Sequence, residues 1–564
     1  MPLHNPIGFV PTDYIELALA GLFLLLAFTW QPWIVPWGGR FARRTSWCMI
    51  TLALLPIALR LILLPGHPMP SPDVYDEFSH LLVADTLRHF RLANPPHALP
   101  QFFEAFFVLQ RPTYSSIYPI GQGLALALGW VIFGLPWAGV LLSTGALCAL
   151  CYWMLRAWVP PGWALLGGFL AVFEFGPLSS WTNTYWGGAY TAASGCLVFG
   201  ALPRLRNGWR LRNAALLGLG LGMHLLSRPF ESIFLLLSVV LFFLPELRST
   251  ATLRLLLRPA AMTALVCLPA VVLVLAQNKQ VTGRWQTLPY ALSQYQYGVP
   301  ASFTFQPHPV PHNPLTREQE MDYKMQRAFR SADQDTLITY LQRLLYRIRY
   351  YRFYFYPALY LALIAYLVRM REYRFLWVAL TALIFALGTN FYPLFLTHYI
   401  AALTSLFVLM SVEGLRIMSR WPAGAPAARV LIWLCIAQFA YSWTTTGLQY
   451  PERRIEVNKQ LARIPGNLLV LVRYWPQHIF QDEWVYNEAD IDKARIVWAR
   501  DLGDAEDQKL LHYYPGRTVM LLEPDARPPR LTPWKPESAK PEQSRPPEKP
   551  QPKKQPTIVF EPVL

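Results

Sequence analysis

Charge is scarce in this chain. Asp, Glu, Lys and Arg make up 15% of its 564 residues, against about 25% in an ordinary soluble domain. With 54% hydrophobic and 14% aromatic residues, that deficit excludes a string of soluble domains, a collagen-like repeat and a disordered chain as the overall class. Cysteine is scarce too. The six residues at 48, 148, 151, 196, 267 and 435 all sit in apolar runs, so they read as small buried hydrophobes, not a disulfide framework. The start, MPLHNPIGFVPTDYIE, lacks the basic n-region of a signal peptide, and residues 14–36 read as a retained span. No internal repeat is found, and the region after 447 has no Gly-rich phosphate loop.

Long apolar runs are what the chain has instead. Runs of spanning length lie near 14–36, 47–65, 136–156, 161–178, 188–204, 212–227, 229–246, 257–277, 354–370, 375–390, 393–413 and 427–446. The expected architecture is therefore an all-α polytopic membrane bundle of about 12 spans. Basic clusters at Arg40/Arg43/Arg44, Arg204/Arg206/Arg210/Arg212, Arg248/Arg254/Arg258, Arg369/Arg371/Arg374 and Arg416/Arg420/Arg429 are expected in the cytoplasm. Alternation then puts loops 66–118 and 278–353, and everything after 447, on the periplasmic or extracellular side of an inner (plasma) membrane. Gly121–Gly134 is apolar but too short for a full span and reads as re-entrant or interfacial. The basic stretch Arg343–Arg352 falls outside, in a loop long enough to escape the charge rule.

The chain divides into three regions: 1–446, the membrane domain; 447–526, a small α/β unit; and 527–564, a Pro/Lys-rich tail read as disordered. In loop 66–118, DEFSHLLVADTLRHFR has apolar residues at helical spacing and suits a helix lying on the membrane surface; QFFEAFFVLQRP is a second, more aromatic candidate. In loop 278–353, DTLITYLQRLLYRIRYYRF suits either an interfacial anchor or a cationic, aromatic wall for a phosphate-bearing lipid. After 447, PERRIEVNKQLARIP reads as a polar helix. LLVLVRY, ARIVWARDL and TVMLLEPD read as short buried strands, with a helix near 505–514. The formal charge of +16 favours anionic partners, but the basic residues are scattered over loops, so nucleic acid is not an expected partner.

Asp76 and Glu77 are adjacent carboxylates just after a membrane exit. Neighbours on a helix point about 100° apart, so one would face a cavity while the other makes a structural contact. The pair also suits a helix N-terminus. The segments around and beyond it carry a resemblance: YDEFSHLLVADTLRHFRLANPP, then QRPTYSSIYPIGQG, then LALALGWVIFG. Further on come GLGLGMHLLSRPFESIFLLL (218–237) and FYPLFLTHYIAALTSLFVLM (391–410). In order and spacing, over about residues 66–412, these resemble the GT-C membrane glycosyltransferases. The nearest group is glycosyltransferase family 39, the protein O-mannosyltransferases and lipid A aminoarabinose transferases.

The resemblance implies transfer of a sugar from a polyprenyl-phosphate donor to a lipid, glycan or protein acceptor at the outer face, with inversion. It makes Asp76 the catalytic carboxylate and Glu77 its paired acid. Arg228 and His398-Tyr399 would lie near the polyprenyl phosphate. A snorkelling or helix-end role suits Arg228 too, and an interfacial role suits His398.

Two departures stand out. The aminoarabinose transferases have a Lys before their Pro turn, where this chain reads SSIYPIGQG, leaving Arg111 as the nearest cation. The family's second acid has no counterpart in SSWTNTYWGGAY, which makes a divalent metal doubtful, and no metal ligand is assigned. Asn183, Tyr185 and Trp186 in that loop suit a sugar or, for the rings, an aromatic belt. The rival readings are a flippase of lipid-linked saccharides and a non-catalytic membrane scaffold.

Overall fold

The computed structural model describes residues 13–14, 17–18, 21, 38–246, 250–330, 335–445 and 452–535. The expected span 14–36 and the tail beyond 535 lie outside the described residues, apart from the isolated positions named.

The bundle consists of α1 (Thr45–Ile62), α3 (Ile120–Phe133), α4 (Pro136–Leu155), α5 (Pro161–Phe175), α6 (Ala189–Arg206), α7 (Leu211–Ser227), α8 (Glu231–Phe242), α9 (Thr250–Thr282), α13 (Tyr360–Tyr366), α14 (Tyr373–Thr389), α15 (Thr404–Met418) and α16 (Gly424–Thr445). Five stretches are long and apolar enough to cross a membrane: Thr45–Ile62, Pro136–Leu155, Arg254–Thr282, Thr397–Met418 and Gly424–Thr444. A further pair, Leu337–Tyr354 with Pro357–Arg371, qualifies jointly but is bent by 109°. Of the other expected runs among the described residues, 188–204 forms Ala189–Arg206, 18 residues long but less apolar, and the rest form shorter helices, some ended early by 3-10 turns such as Leu367–Arg371. The chain is a multi-pass membrane protein built from long and short helices.

Small residues set the closest contacts, as is usual where lipid removes the apolar driving force between helices. A methyl group at Gly139 of α4 would lie 1.9 Å from the Ala125 carbonyl oxygen of α3, and one at Gly129 would lie 2.0 Å from the Gly139 nitrogen. The two helices therefore form a tight hairpin through Gly134, whose φ is +73°. With 14 residues, α3 is about 21 Å long, short of a hydrocarbon core of about 30 Å.

The helix expected on the membrane surface, α2 (Tyr75–Arg88), is placed otherwise. Eleven of its 14 residues are buried, so it is an internal element with no free apolar face for lipid. It lies between α3 and the C-terminal unit, which supplies partners for its polar side chains. Asp85, fully buried, accepts from the Ala489 amide at 2.7 Å and from Arg88 at 2.6 Å. The Arg454 guanidinium lies 4.5 Å from the Phe78 ring centroid. QFFEAFFVLQRP is also not a helix: Pro100–Phe103 makes one 3-10 turn, and β1 (Val108–Leu109) pairs with β2 (Ser115–Ser116).

The C-terminal unit opens with α17 (Glu452–Arg463) and builds a sheet in the order β4 (Ile496–Arg500), β3 (Leu468–Val472), β5 (Thr518–Glu523), β6 (Arg530–Pro533). The first three strands are parallel, and β6 runs antiparallel at the edge. The helix α18 (Asp504–Tyr513) connects β4 to β5. Residues 530–533, assigned to the tail on composition, are therefore part of the sheet. Prolines there hid an edge strand, where a missing N–H is tolerated.

Because Asp85 ties α2 to this unit, Asp85→Ala leaves the Ala489 amide unpaired and Arg88 without its carboxylate. The expected cost is about 3 kcal/mol, seen as a lower unfolding temperature in detergent and faster proteolytic release of the C-terminal unit.

Candidate functional site

The N-terminus of α2 places Asp76 one turn before His80, on the same helical face. Facing them is Tyr118, just before the proline that opens α3. Its phenol donates to Asp76 Oδ1, and its ring stacks on His80 at a centroid distance of 4.2 Å. From across the bundle, Arg228 enters at the C-cap of α7, where the helix breaks before Pro229. Its guanidinium carbon lies 4.7 Å from the Tyr399 ring centroid and one nitrogen lies 3.9 Å from Glu231. Tyr399 belongs to the 3-10 turn Thr397–Leu403 that leads into α15. His398 of the same turn faces Trp186 at 5.8 Å between centroids.

These groups lie in one electrostatic neighbourhood. Burial pushes the Asp76 carboxyl up to about 6, while the Tyr118 hydrogen bond and the Arg228 charge pull it down. Tyr290, near the start of α10 (Pro289–Tyr297), lies in the field of Tyr399, Arg228, Glu231 and Asp76. A second carboxyl arrives from the long 278–353 loop: Asp322 on α11 (Arg317–Arg330), fully buried. Burial pushes it up to about 7, Gln326 opposes that by hydrogen bonding, and the Asp76 charge adds to it. Asp76, Tyr118, Arg228, Tyr290, His398 and Tyr399 all remain partly accessible and are not sealed into a core.

The other expected residues are used differently. Glu77 caps its own helix, accepting from the Asp73 amide at 2.9 Å and the Val74 amide at 3.3 Å, and it also accepts from the Tyr185 amide at 2.9 Å. It is thus a bolt between α2 and the 178–188 loop, not a second acid beside Asp76; burial pushes its carboxyl up to about 7. Tyr185 is buried and donates to the Pro70 carbonyl at 3.0 Å. Asn183 accepts from Arg60 at 2.7 Å and donates to the Pro177 and Ser179 carbonyls. Both hold the loop in shape, which leaves Trp186, half-buried and facing His398, as its aromatic group beside the site. Arg111 is exposed, and its backbone carbonyl accepts from Gln296. No contact joins its side chain to the Asp76 group among the described residues.

Of the two readings of the 335–353 segment, interfacial anchor or cationic wall, the contacts of its first two arginines do not build the wall. On α12 (Leu337–Arg347), Arg347 donates to the carbonyls of Thr389 and Tyr392, and Arg343 donates to the Asn390 carbonyl at 2.8 Å. These arginines cap the C-terminal carbonyls of α14, where cations suit the helix dipole. Arg343 is further paired with Asp335 at 2.6 Å. Leu337, Ile338, Leu341 and Leu345 remain exposed, giving this helix an apolar outer face. Among the described residues, no group of three or more His, Cys, Asp or Glu is placed to hold a metal ion.

No protein-family model and no curated protein matches the chain. Among solved structures it is similar to ArnT from Cupriavidus metallidurans in the apo state, with 12% identity and a TM-score of 0.48, over 85% of this chain and 93% of that one. ArnT is a GT-C lipid A aminoarabinose transferase, within the group the motifs resemble. Against ArnT bound to undecaprenyl phosphate the identity is 13% and the TM-score 0.47, with the same coverage. The chain is also similar to the Archaeoglobus fulgidus oligosaccharyltransferase in complex with Zn and sulfate, at 12% identity and a TM-score of 0.47. That match covers 74% of this chain and 55% of the other, so the chain spans just over half that protein's length. None of these likenesses assigns a role to a residue.

Proposed function

We propose that the chain is a membrane glycosyltransferase that moves a sugar from a polyprenyl-phosphate donor to a lipid, glycan or protein acceptor at the outer face of the membrane. What supports this reading is that Asp76, bonded by the Tyr118 phenol, and Arg228, over the Tyr399 ring, lie within electrostatic reach of each other and are both only half-buried. Such a reaction needs a base for the acceptor and a cation for the leaving group, in surroundings dry enough to strengthen both. Asp76 takes the proton from the acceptor O–H as its oxygen bonds to the anomeric carbon. The bond from that carbon to the phosphate oxygen breaks, and the phosphate leaves with the electron pair. Arg228, stacked on Tyr399, receives the phosphate charge, for which a guanidinium is suited in shape and charge. Trp186 and His398 offer ring faces to the sugar.

The test is the mass profile of membrane glycolipids and glycoproteins in cells carrying the intact gene, a deletion, or the deletion complemented with Asp76→Asn. At least one glycan-bearing species should vanish in the deletion and stay absent with Asp76→Asn. An unchanged inventory while the protein is being made would overturn the reading.

A further inference from the structure

Tyr118 is held on every side that matters for the aim of its phenol. Its amide donates to Ser116 Oγ at 3.0 Å, and its carbonyl accepts from Gln277 at 2.8 Å. The Ser116 hydroxyl is itself paired with Ser79 Oγ of α2 at 2.7 Å. The ring is clamped flat against His80 and meets the edge of Phe107. With backbone and ring both fixed, the phenol oxygen is held in place, and there it meets Asp76 Oδ1. His80 is buried and its Nδ1 has no partner among the described residues, so the imidazole serves here as a flat support.

We infer that Tyr118 is a positioning residue: its immobilised phenol donates to Asp76 and holds that carboxylate turned toward the acceptor and Arg228. This rests on the proposed role of Asp76 and adds a residue that acts only through it. The carboxyl also accepts from its own backbone amide, and the phenol adds the side-chain bond that fixes which way it turns. Unbonded, the carboxylate would rotate about its Cβ–Cγ bond and lose both its aim and a hydrogen bond that favours its charged form.

Tyr118→Phe removes the hydroxyl and keeps the ring stack on His80. Turnover should fall about tenfold with KM nearly unchanged, and the acid limb of the pH–rate profile should move up by about one pH unit, since the lost bond favoured the ionised acid. Ser116→Ala keeps the phenol but frees its amide, and should shift the limb less, in the same direction. An unfolding temperature close to wild type in detergent confirms that Tyr118→Phe is folded. A wild-type pH profile in both variants, or an effect confined to KM, would overturn the inference. Activity retained by Asp76→Asn would instead overturn the proposed function, so the two failures are separable.

Discussion

Asp76→Asn is expected to lower sugar transfer by about 10²–10⁴-fold, the usual contribution of a positioned general base. Asparagine keeps the size of the side chain and still accepts from Tyr118, so the site keeps its shape while losing the ability to take a proton. In the wild-type protein the base is active when ionised, and burial puts its carboxyl at about 6. Activity should therefore rise with pH through about 6, and that limb should be missing from the residual activity of the variant. The measurement is initial rate against pH with purified protein in detergent and a polyprenyl-phosphate sugar donor. A flippase or scaffold would tolerate the substitution.

The second large effect is expected at Arg228. Arg228→Gln removes the cation facing the leaving phosphate, and a loss of about 10²–10³-fold is typical when a preorganised charge stabiliser is deleted. Arg228 also favours the ionised form of Asp76, so the acid limb should move to higher pH in the same variant. Glu231 would be left buried without its cation. The double variant Arg228→Gln/Glu231→Gln separates that folding cost from the loss of catalysis. Arg228→Lys keeps the charge and loses the planar fork, and should fall between wild type and Arg228→Gln. Equal activity in all three would remove Arg228 from the mechanism.

Composition and run length made the membrane class legible, and short apolar runs located the strands at 468–472, 496–500 and 518–523. The fate of α2 was not legible. An amphipathic pattern states that one face is apolar, not whether lipid or protein covers it, and the partners of Asp85 and Phe78 lie some 400 residues away in the sequence. At the site, Asp76, Arg228, His398 and Tyr399 were named from motifs and Trp186 from the make-up of its loop; the structure puts Asp76 within reach of the Arg228 charge, Arg228 over Tyr399, and His398 opposite Trp186. Tyr118 and Asp322 were not named: tyrosine before a proline reads as a turn, and an aspartate in an acidic-basic helix reads as a solvated face. His80 was available from its four-residue spacing to Asp76. Glu77, Asn183 and Tyr185 were overread because residue type shows hydrogen-bonding capacity and not the partner, and here the backbone claims it.

The central claim is that Asp76 lines a crevice open to the outer face, where the polyprenyl phosphate enters. Of the six native cysteines, all but Cys267 are buried, so Asp76→Cys in intact cells is open to a membrane-impermeant maleimide over a low background. The account predicts labelling from outside without permeabilisation and protection by added polyprenyl phosphate. Labelling that requires the cytoplasmic side to be opened, or that the lipid phosphate leaves untouched, would contradict it.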